Sequence, residues 1–190
     1  MKVQSLWVGA ALGLLAGTAL AAQCRGVGFP ATVTVAGTTL RLNGLGVRKA
    51  TFLKINVYVA GLYVAHPTHD ARALLAADGP SELVLKFVRG VGARDIRDGF
   101  SEGFAKSAGA AHTALAARIA ELEGWLGDIS TGGAMTFVHI PDAGVEVSID
   151  GRAKGVIPGE DFARALMAIW IGAVPPNPEL KRGLLGGDCS

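Results

Sequence analysis

An arginine and a tyrosine in one short stretch of this sequence carry side chains that can hold an acidic group. Arg48 follows a glycine-rich bend over residues 44–46, and Tyr58 lies further along the same stretch. A guanidinium keeps its charge at ordinary pH and grips a carboxylate through two parallel hydrogen bonds, and a phenol donates one more. The pair therefore suits a ligand carboxylate, or the oxyanion of an enolate or phenolate.

The residues after position 51 are predicted to form a strand with two different faces. One face is wholly apolar and is predicted to pack on a core; it carries Leu53, Ile55, Val57, Val59 and Tyr63. The other face mixes apolar bulk with an amine, an amide and a phenol, and carries Phe52, Lys54, Asn56, Tyr58, Leu62 and Val64. Arg48 joins this mixed face if the alternation holds back through the bend. The mixed face predicts either the lining of a pocket for an anion with a hydrocarbon body or a solvated sheet surface.

The rest of the chain supplies the elements that must position these side chains. Strands are predicted on both sides of the turn at residues 36–37 and over residues 82–89, 135–140, 145–149 and 152–157. Helices are predicted after a capping Asp70, over residues 94–126 as one helix or two joined near Gly109, over 160–171 and over 179–182. Because no βαβ alternation appears, the order predicts an α+β fold, a largely antiparallel sheet with helices on one face.

The N-terminal residues have the form of a secretory signal peptide. Lys2 precedes an apolar run over residues 6–20, and Ala19-Leu20-Ala21 offers a cleavage site for small residues. We expect cleavage after Ala21 or Ala22, which assigns residues 1–21 to the signal and 22–190 to a single domain. The expected location is the periplasm or the secreted medium.

Two cysteines, Cys24 and Cys189, lie near the two ends of the exported chain. An isolated pair in an oxidising compartment usually bridges, so a disulfide is predicted, with two free thiols as the alternative. Nothing about the pair indicates catalysis, because the chain has no CxxC motif.

Composition and motifs argue against several classes of function. The formal net charge is +2 with no basic cluster, so nucleic acid is not an expected partner. Beyond the signal, no segment is apolar enough to predict a membrane span. The histidines lack the spacing of a zinc site, and no GxSxG motif or phosphate loop is present. No metal or cofactor is therefore expected, and protein partners stay undefined.

Four blocks of the sequence resemble the chalcone isomerase-like family, in particular its bacterial exported members. They are GLGVRKATFLKINVYVAGLYV, ELVLKFVRG, GRAKGVIPGEDFARALMAIWIG and NPELKRGLLG. The resemblance implies an open-faced β-sandwich, in which a large antiparallel sheet is covered by helices and the ligand cleft lies between them. Arg48 in GLGVR matches the arginine that polarises the ketone in the plant isomerases and holds the carboxylate in fatty-acid-binding relatives.

Other positions of the resemblance depart from the plant enzymes. Their strand threonine falls at Tyr58 and a late-helix threonine at Ile169, while their helix-borne tyrosine and asparagine have no counterpart. Of the groups used in flavonoid cyclisation, the arginine is the one that clearly matches. The resemblance therefore points away from flavonoid isomerisation and toward ligand binding.

Three functions agree with these residues. The favoured one is an exported, non-catalytic binding protein for a small apolar, fatty-acid-like ligand, whose carboxylate is held by Arg48 with help from Tyr58 and Asn56. The apolar wall of its cleft is predicted to include three residues that also suit a plain core, Phe100, Phe104 and Trp170.

The two alternatives use the same arginine differently. The first is an isomerase or intramolecular lyase acting on an enone, with Arg48 stabilising an oxyanion and Tyr58 relaying a proton. The second is a structural or interaction protein without a ligand, in which Arg48 pairs with an internal carboxylate such as Glu102 or Asp95.

Overall fold

The computed structural model describes residues 20–50 and 55–189. The strands are β1 (Leu20–Cys24), β2 (Val27–Pro30), β3 (Thr32–Val35), β4 (Thr38–Ala50), β5 (Ile55–Val64), β6 (Ser81–Phe87), β7 (Ala134–Ile140), β8 (Gly144–Ile149) and β9 (Arg152–Ile157). The helices are α1 (Ala71–Leu75), α2 (Ala93–Ser107), α3 (His112–Trp125), α4 (Glu160–Ile171) and α5 (Pro178–Leu184). The signal-peptide prediction falls mainly on residues 1–19, outside the described residues, as do the strand-face positions Phe52, Leu53 and Lys54.

Strands β3 to β9 form one antiparallel sheet in which each strand pairs with its neighbour in the chain. The helices cover one face of this sheet, and the β1–β2 hairpin packs on the other face over β4 and β5. The predicted α+β class and the open-faced sandwich are therefore confirmed. The long helical region is two helices, because a 3₁₀ turn over Gly109–Ala111 separates α2 from α3.

The mixed face of β5 is the face that the helices cover. Ala60, Leu62 and Val64 are buried there in one core with Phe104 and Trp170. The alternative of a solvated sheet surface is wrong, because the large apolar side chains of α2 and α4 remove this face from water.

The apolar face of β5 packs in a second, smaller core beneath the β1–β2 hairpin. Val59 and Tyr63 are fully buried there against Phe29, whose ring lies so close to Gly61 that an added Cβ would meet it at 2.7 Å. Two residues depart from the prediction: Ile55 is 37% exposed, and Val57, at the register shift in β5, packs against the helix-side core instead.

The disulfide between Cys24 and Cys189 is present and closes this second core. Its two Cα atoms lie 6.0 Å apart, and it joins β1 to the C-terminal end of the chain across a separation of 165 residues. The predicted pairing is confirmed, and both described ends of the domain are thereby tied to the same side of the sheet.

The glycine-rich segment before Arg48 is not a bend but part of β4, so that prediction is wrong. Its glycines permit a close approach of α5. A Cβ at Gly44 would lie 2.1 Å from the carbonyl oxygen of Gly183, and one at Gly46 would lie 2.3 Å from that of Leu180. The glycine pattern therefore reflects helix-on-strand packing, a requirement set by residues far away in the sequence.

Candidate functional site

Arg48 and Tyr58 lie directly opposite each other on the neighbouring antiparallel strands β4 and β5. Residues that face each other in such a pair project from the same side of the sheet. Tyr58 packs against the helix-covered core, so Arg48 lies on the helix side too, as the alternation predicted. The reason differs from the prediction, because the two residues belong to two strands and not to one.

A register shift directly follows this pair and changes the position of Asn56. Arg48 pairs with Tyr58, but Lys49 pairs with Asn56, so Val57 is an extra residue on β5. Such a bulge interrupts the strict alternation of side chains. Asn56 is therefore matched to Lys49 instead of Arg48, and its predicted role beside the arginine gains no contact among the described residues.

Two neutral oxygen atoms hold the Arg48 guanidinium. Its Nη1 donates to the Oδ1 of Asn177 at 3.0 Å and also to the backbone carbonyl of Lys49. The same Oδ1 accepts the backbone N–H of Lys49 at 2.9 Å. Asn177 is the residue that precedes α5, yet its side chain makes no bond to that helix's own backbone. The amide oxygen thus joins the end of β4 to the start of α5.

The charge of Arg48 is not cancelled by a carboxylate in the part of the chain that the structure describes, where none lies within 4.0 Å of it. Glu102 on α2 binds Lys106, and this contact is the main cause that lowers the pKa of Glu102; the charge of Arg48 adds a weaker effect in the same direction. The internal ion pair required by the structural alternative is therefore not formed with Glu102 or Asp95.

The Tyr58 hydroxyl is buried at the interface between β5 and α4. The indole N–H of Trp170 donates to it at 2.8 Å, and the Tyr58 ring packs edge-on against Phe87 with centroids 5.4 Å apart. Burial raises the pKa of Tyr58 to about 12, although the bond from Trp170 and the charge of Arg48 act in the opposite direction. Tyr58 is consequently a neutral hydrogen-bonding group at any physiological pH.

The predicted wall residues are all buried aromatic side chains. Phe100 packs edge-on against Trp170 with ring centroids 5.8 Å apart, and Trp170 is the residue that bonds the Tyr58 hydroxyl. Phe104 instead stacks on Phe162, in the first turn of α4, with centroids 5.5 Å apart. The structure therefore groups Phe100 and Trp170 with Tyr58 and places Phe104 farther along the helix–sheet interface.

The two described cavities lie toward the N-terminal end of α4, away from Arg48. The larger, of about 440 Å³, lies between α1, α4 and the adjacent ends of β5, β6 and β7. A small one of about 10 Å³ adjoins it beneath α4. Neither is lined by any of the six residues predicted to bind the ligand. A polar pair borders the larger cavity, His139 Nε2 and Glu160 Oε2, which are 2.8 Å apart.

Asn177 and the polar residues around the larger cavity were not predicted from the sequence. The Asn177-Pro178 step before a short helix was a detectable capping signal, but a cap predicts a bond to the helix itself and not to Arg48. Across residues 20–50 and 55–189, no three His, Cys, Asp or Glu side chains are grouped so that they could hold a metal ion. Among the described helices, none has the length and apolar character needed to cross a bilayer.

A seven-stranded antiparallel sheet with helices on one face and a hairpin on the other defines an open-faced β-sandwich of the α+β class. The chain belongs to the chalcone isomerase-like family, whose model matches residues 21–186. Among solved structures, the chain is similar to a fatty-acid binding protein of Arabidopsis thaliana. The TM-score is 0.67 at 20% identity, with 84% of this chain and 92% of that chain covered. A comparison with curated protein sequences finds no match.

Proposed function

We propose that this protein is an exported, non-catalytic binding protein for a small apolar ligand that bears a carboxylate. The ligand's acidic group binds Arg48, with Tyr58 as a second hydrogen-bonding group, and its hydrocarbon body lies between the sheet and the helices. The observation that carries the proposal is the Arg48 guanidinium, which faces the helix layer and is held by neutral oxygen atoms alone among the described residues.

A half-buried cation with neutral partners favours an added anion. The Asn177 side chain and the Lys49 carbonyl accept hydrogen bonds from Nη1 of Arg48. Both acceptors are neutral, so they do not offset the positive charge of the guanidinium. Each hydrogen bond between charged partners contributes about 1.5–3 kcal/mol, and each methylene removed from water contributes about 0.8 kcal/mol. For a ligand with a long hydrocarbon tail, burial of the tail thus dominates the affinity and Arg48 fixes the orientation.

Binding at Arg48 requires a rearrangement of the aromatic side chains beside it. The Trp170 indole is 2% exposed and bonded to Tyr58, and neither described cavity reaches this pair. The Tyr58 oxygen accepts the indole N–H, so its own O–H stays available to donate to a ligand carboxylate, and movement of Trp170 opens space between α4 and β5. We therefore expect ligand binding to be coupled to movement of Trp170, whose fluorescence reports it in a Trp125→Phe background.

The pKa of Tyr58 argues against the enzymatic alternative. A proton relay works best when its pKa lies near the operating pH. Burial holds the pKa of Tyr58 at about 12, which suits a fixed hydrogen-bond donor and not a group that exchanges protons during turnover. Tyr58 is therefore poorly suited to relay a proton, which makes the isomerase or lyase alternative less favoured than ligand binding.

The nature of the ligand and the location of the protein rest on separate support. The similar Arabidopsis protein is named for fatty-acid binding, which makes a fatty acid the first ligand to test. The signal-like sequence over residues 1–21 and the disulfide between Cys24 and Cys189 together support export to an oxidising compartment, the periplasm or the medium. Residues 22–190 are then the mature, single-domain protein.

Native mass spectrometry of protein purified from its own host, without denaturant, tests for a bound ligand. Titrations with dodecanoate and with dodecanol then test the role of the carboxylate. We expect Arg48→Gln to weaken dodecanoate binding by about 10- to 100-fold and to leave dodecanol binding unchanged. Arg41→Gln is the matched control, because Arg41 is an exposed residue of the same strand. Empty protein, together with equal dodecanoate affinity in both variants, would refute the proposal.

A further inference from the structure

The larger cavity, here called the α1–α4 chamber, is a candidate site separate from Arg48. Its volume of about 440 Å³ falls in the range of small-molecule pockets. Its walls are mainly apolar and include Val64, Leu74, Leu75, Pro80, Ala163 and Met167. The small inner cavity shares Ala163 and Met167 with it, so the apolar lining continues beneath α4.

Aromatic rings separate the α1–α4 chamber from the Arg48 site. Phe137 lines the small inner cavity, and its ring packs on Trp170 with centroids 6.0 Å apart. Trp170 in turn bonds Tyr58, the cross-strand partner of Arg48. A ligand in the chamber therefore has no open route to Arg48 through the described side chains.

Arg164 is the fixed cation at the mouth of the chamber. Its Nε donates to the carbonyl oxygen of Leu75 at 3.0 Å, which ties α4 to the end of α1 and holds the guanidinium in place. Among the described residues, no carboxylate lies within 4.0 Å of it. Its Nη1 and Nη2 remain as a two-pronged donor of the kind that binds a carboxylate.

Two carboxylates, Asp78 and Glu160, line the α1–α4 chamber. They differ in how strongly they oppose the binding of an anionic ligand at Arg164. Glu160 is occupied, because its Oε2 lies 2.8 Å from His139 Nε2 and its Oε1 accepts the backbone N–H of Asp142 at 3.2 Å. Asp78 also lines the mouth and lies in the exposed segment that follows α1. Both Arg164 and Asp78 are exposed, but Arg164 is oriented by a hydrogen bond, whereas the Asp78 side chain makes none among the described residues.

We propose that the α1–α4 chamber is a second ligand site, which takes a small amphipathic anion. The apolar body of the ligand fills the chamber, and its acidic group binds the guanidinium of Arg164. This site works independently of Arg48, and it stands whether or not the function proposed above is correct.

Methyl-labelled methionine gives a reporter inside the chamber. The protein has three methionines, and Met167 lines the chamber while Met135 is fully buried in the core. The Met167 methyl signal is assigned by Met167→Leu, and dodecanoate is then added. We expect this signal to shift in the wild type and equally in Arg48→Gln. Arg164→Gln should weaken the binding that this signal reports by about tenfold or more, whereas the exposed control Arg152→Gln should not.

Other outcomes would overturn the second site. A Met167 signal that does not move at saturating dodecanoate refutes it, as does a shift that Arg48→Gln abolishes, since that shows one ligand site and not two. Tighter binding of dodecyltrimethylammonium than of dodecanoate at Met167 refutes the anionic ligand and points to Asp78. If dodecanoate moves Met167 but the overall titration shows the same number of bound dodecanoate molecules and the same affinities for Arg48→Gln as for Arg41→Gln, the second site holds and the function proposed for Arg48 fails.

Discussion

The indole N–H of Trp170 donates a 2.8 Å hydrogen bond to the hydroxyl of Tyr58, and this bond joins helix α4 to strand β5. Trp170 is 2% exposed, and Phe100 and Phe137 pack on its ring. The bond thus links the core aromatic cluster to the residue that faces Arg48 across the strand pair. The bond uses the acceptor side of the Tyr58 hydroxyl, so a ligand carboxylate that reaches it binds the O–H and must fit beside the indole ring.

Removal of the indole N–H is predicted to destabilise the protein. Trp170→Phe leaves the buried Tyr58 hydroxyl without this partner, which costs about 1–3 kcal/mol in the free energy of unfolding, with loss of ring volume in addition. Tyr58→Phe in the same background removes the orphaned group, so the double variant should lose less than the sum of the two single variants. Urea unfolding of all four proteins measures the coupling; strictly additive losses would show that the bond contributes nothing.

Tyr58 is predicted to resist ionisation in the folded protein. An unfolded tyrosine ionises near pH 10, at about its reference pKa, whereas burial raises the pKa of Tyr58 to about 12. The folded state holds this proton more tightly, so the associated stability is fully present below about pH 10 and is lost as the pH rises through about 12.

Ultraviolet titration of tyrosinate tests this in a Tyr63→Phe background, where Tyr58 is the one remaining tyrosine. Arg48→Gln should move the pKa of Tyr58 further up, because the arginine's charge lowers it in the native protein. The exposed Arg41→Gln should not shift it. A Tyr58 that titrates near its ordinary pKa while the protein remains folded would contradict the buried hydroxyl.

Gly46→Ala is predicted to disrupt the packing of α5 on β4. The added Cβ would lie 2.3 Å from the carbonyl oxygen of Leu180, so backbone must move, at a cost of about 1–3 kcal/mol or more. Gly99→Ala is the control within α2, since nothing lies within 4 Å of its Cβ and alanine favours a helix over glycine by up to about 1 kcal/mol. We expect Gly46→Ala to lower the melting temperature and Gly99→Ala to raise it. An unchanged melting temperature for Gly46→Ala would show that α5 does not pack closely on β4.

Loss of the disulfide is predicted to lower stability strongly. A bridge between residues 165 apart restricts the unfolded chain, and the entropy model gives about 5 kcal/mol for a loop of this size. Cys24→Ser with Cys189→Ser should therefore unfold at a lower denaturant concentration than the oxidised protein. Treatment of the wild type with a reductant should reproduce the loss, and the reductant should not affect the double variant. Equal midpoints for the oxidised protein and the double variant would contradict this account.

The local elements follow from residues that are near each other in the sequence. Asp70 caps α1 as predicted, because its carboxylate accepts the backbone N–H of Arg72 at 2.8 Å, two residues on. The change of period after β6 marks α2, and the flexible Gly109 marks the break before α3. These signals act over a few residues, so the chain order alone contains them.

The sequence also predicted that Arg48 and Tyr58 lie on one face of the sheet. That prediction assumed one strand with strictly alternating side chains, whereas the two residues belong to two neighbouring strands. The two residues meet across a pair of antiparallel strands, and a bulge at Val57 on β5 then displaces Asn56. A bulge inserts one residue, which reverses the predicted face of everything beyond it. Periodicity in one strand cannot reveal a shift that only the partner strand defines.

The order of strands and helices, the class of fold and the importance of the arginine could all be predicted from the amino-acid sequence. The surroundings of that arginine depend on the folded chain: Asn177 comes to Arg48 from 129 residues away, and Trp170 comes to Tyr58 from 112 residues away. The tertiary structure likewise showed that Gly44 and Gly46 make room for α5. The physical reason is that local backbone preferences act between neighbours, whereas close packing depends on which distant side chains the folded chain brings into contact.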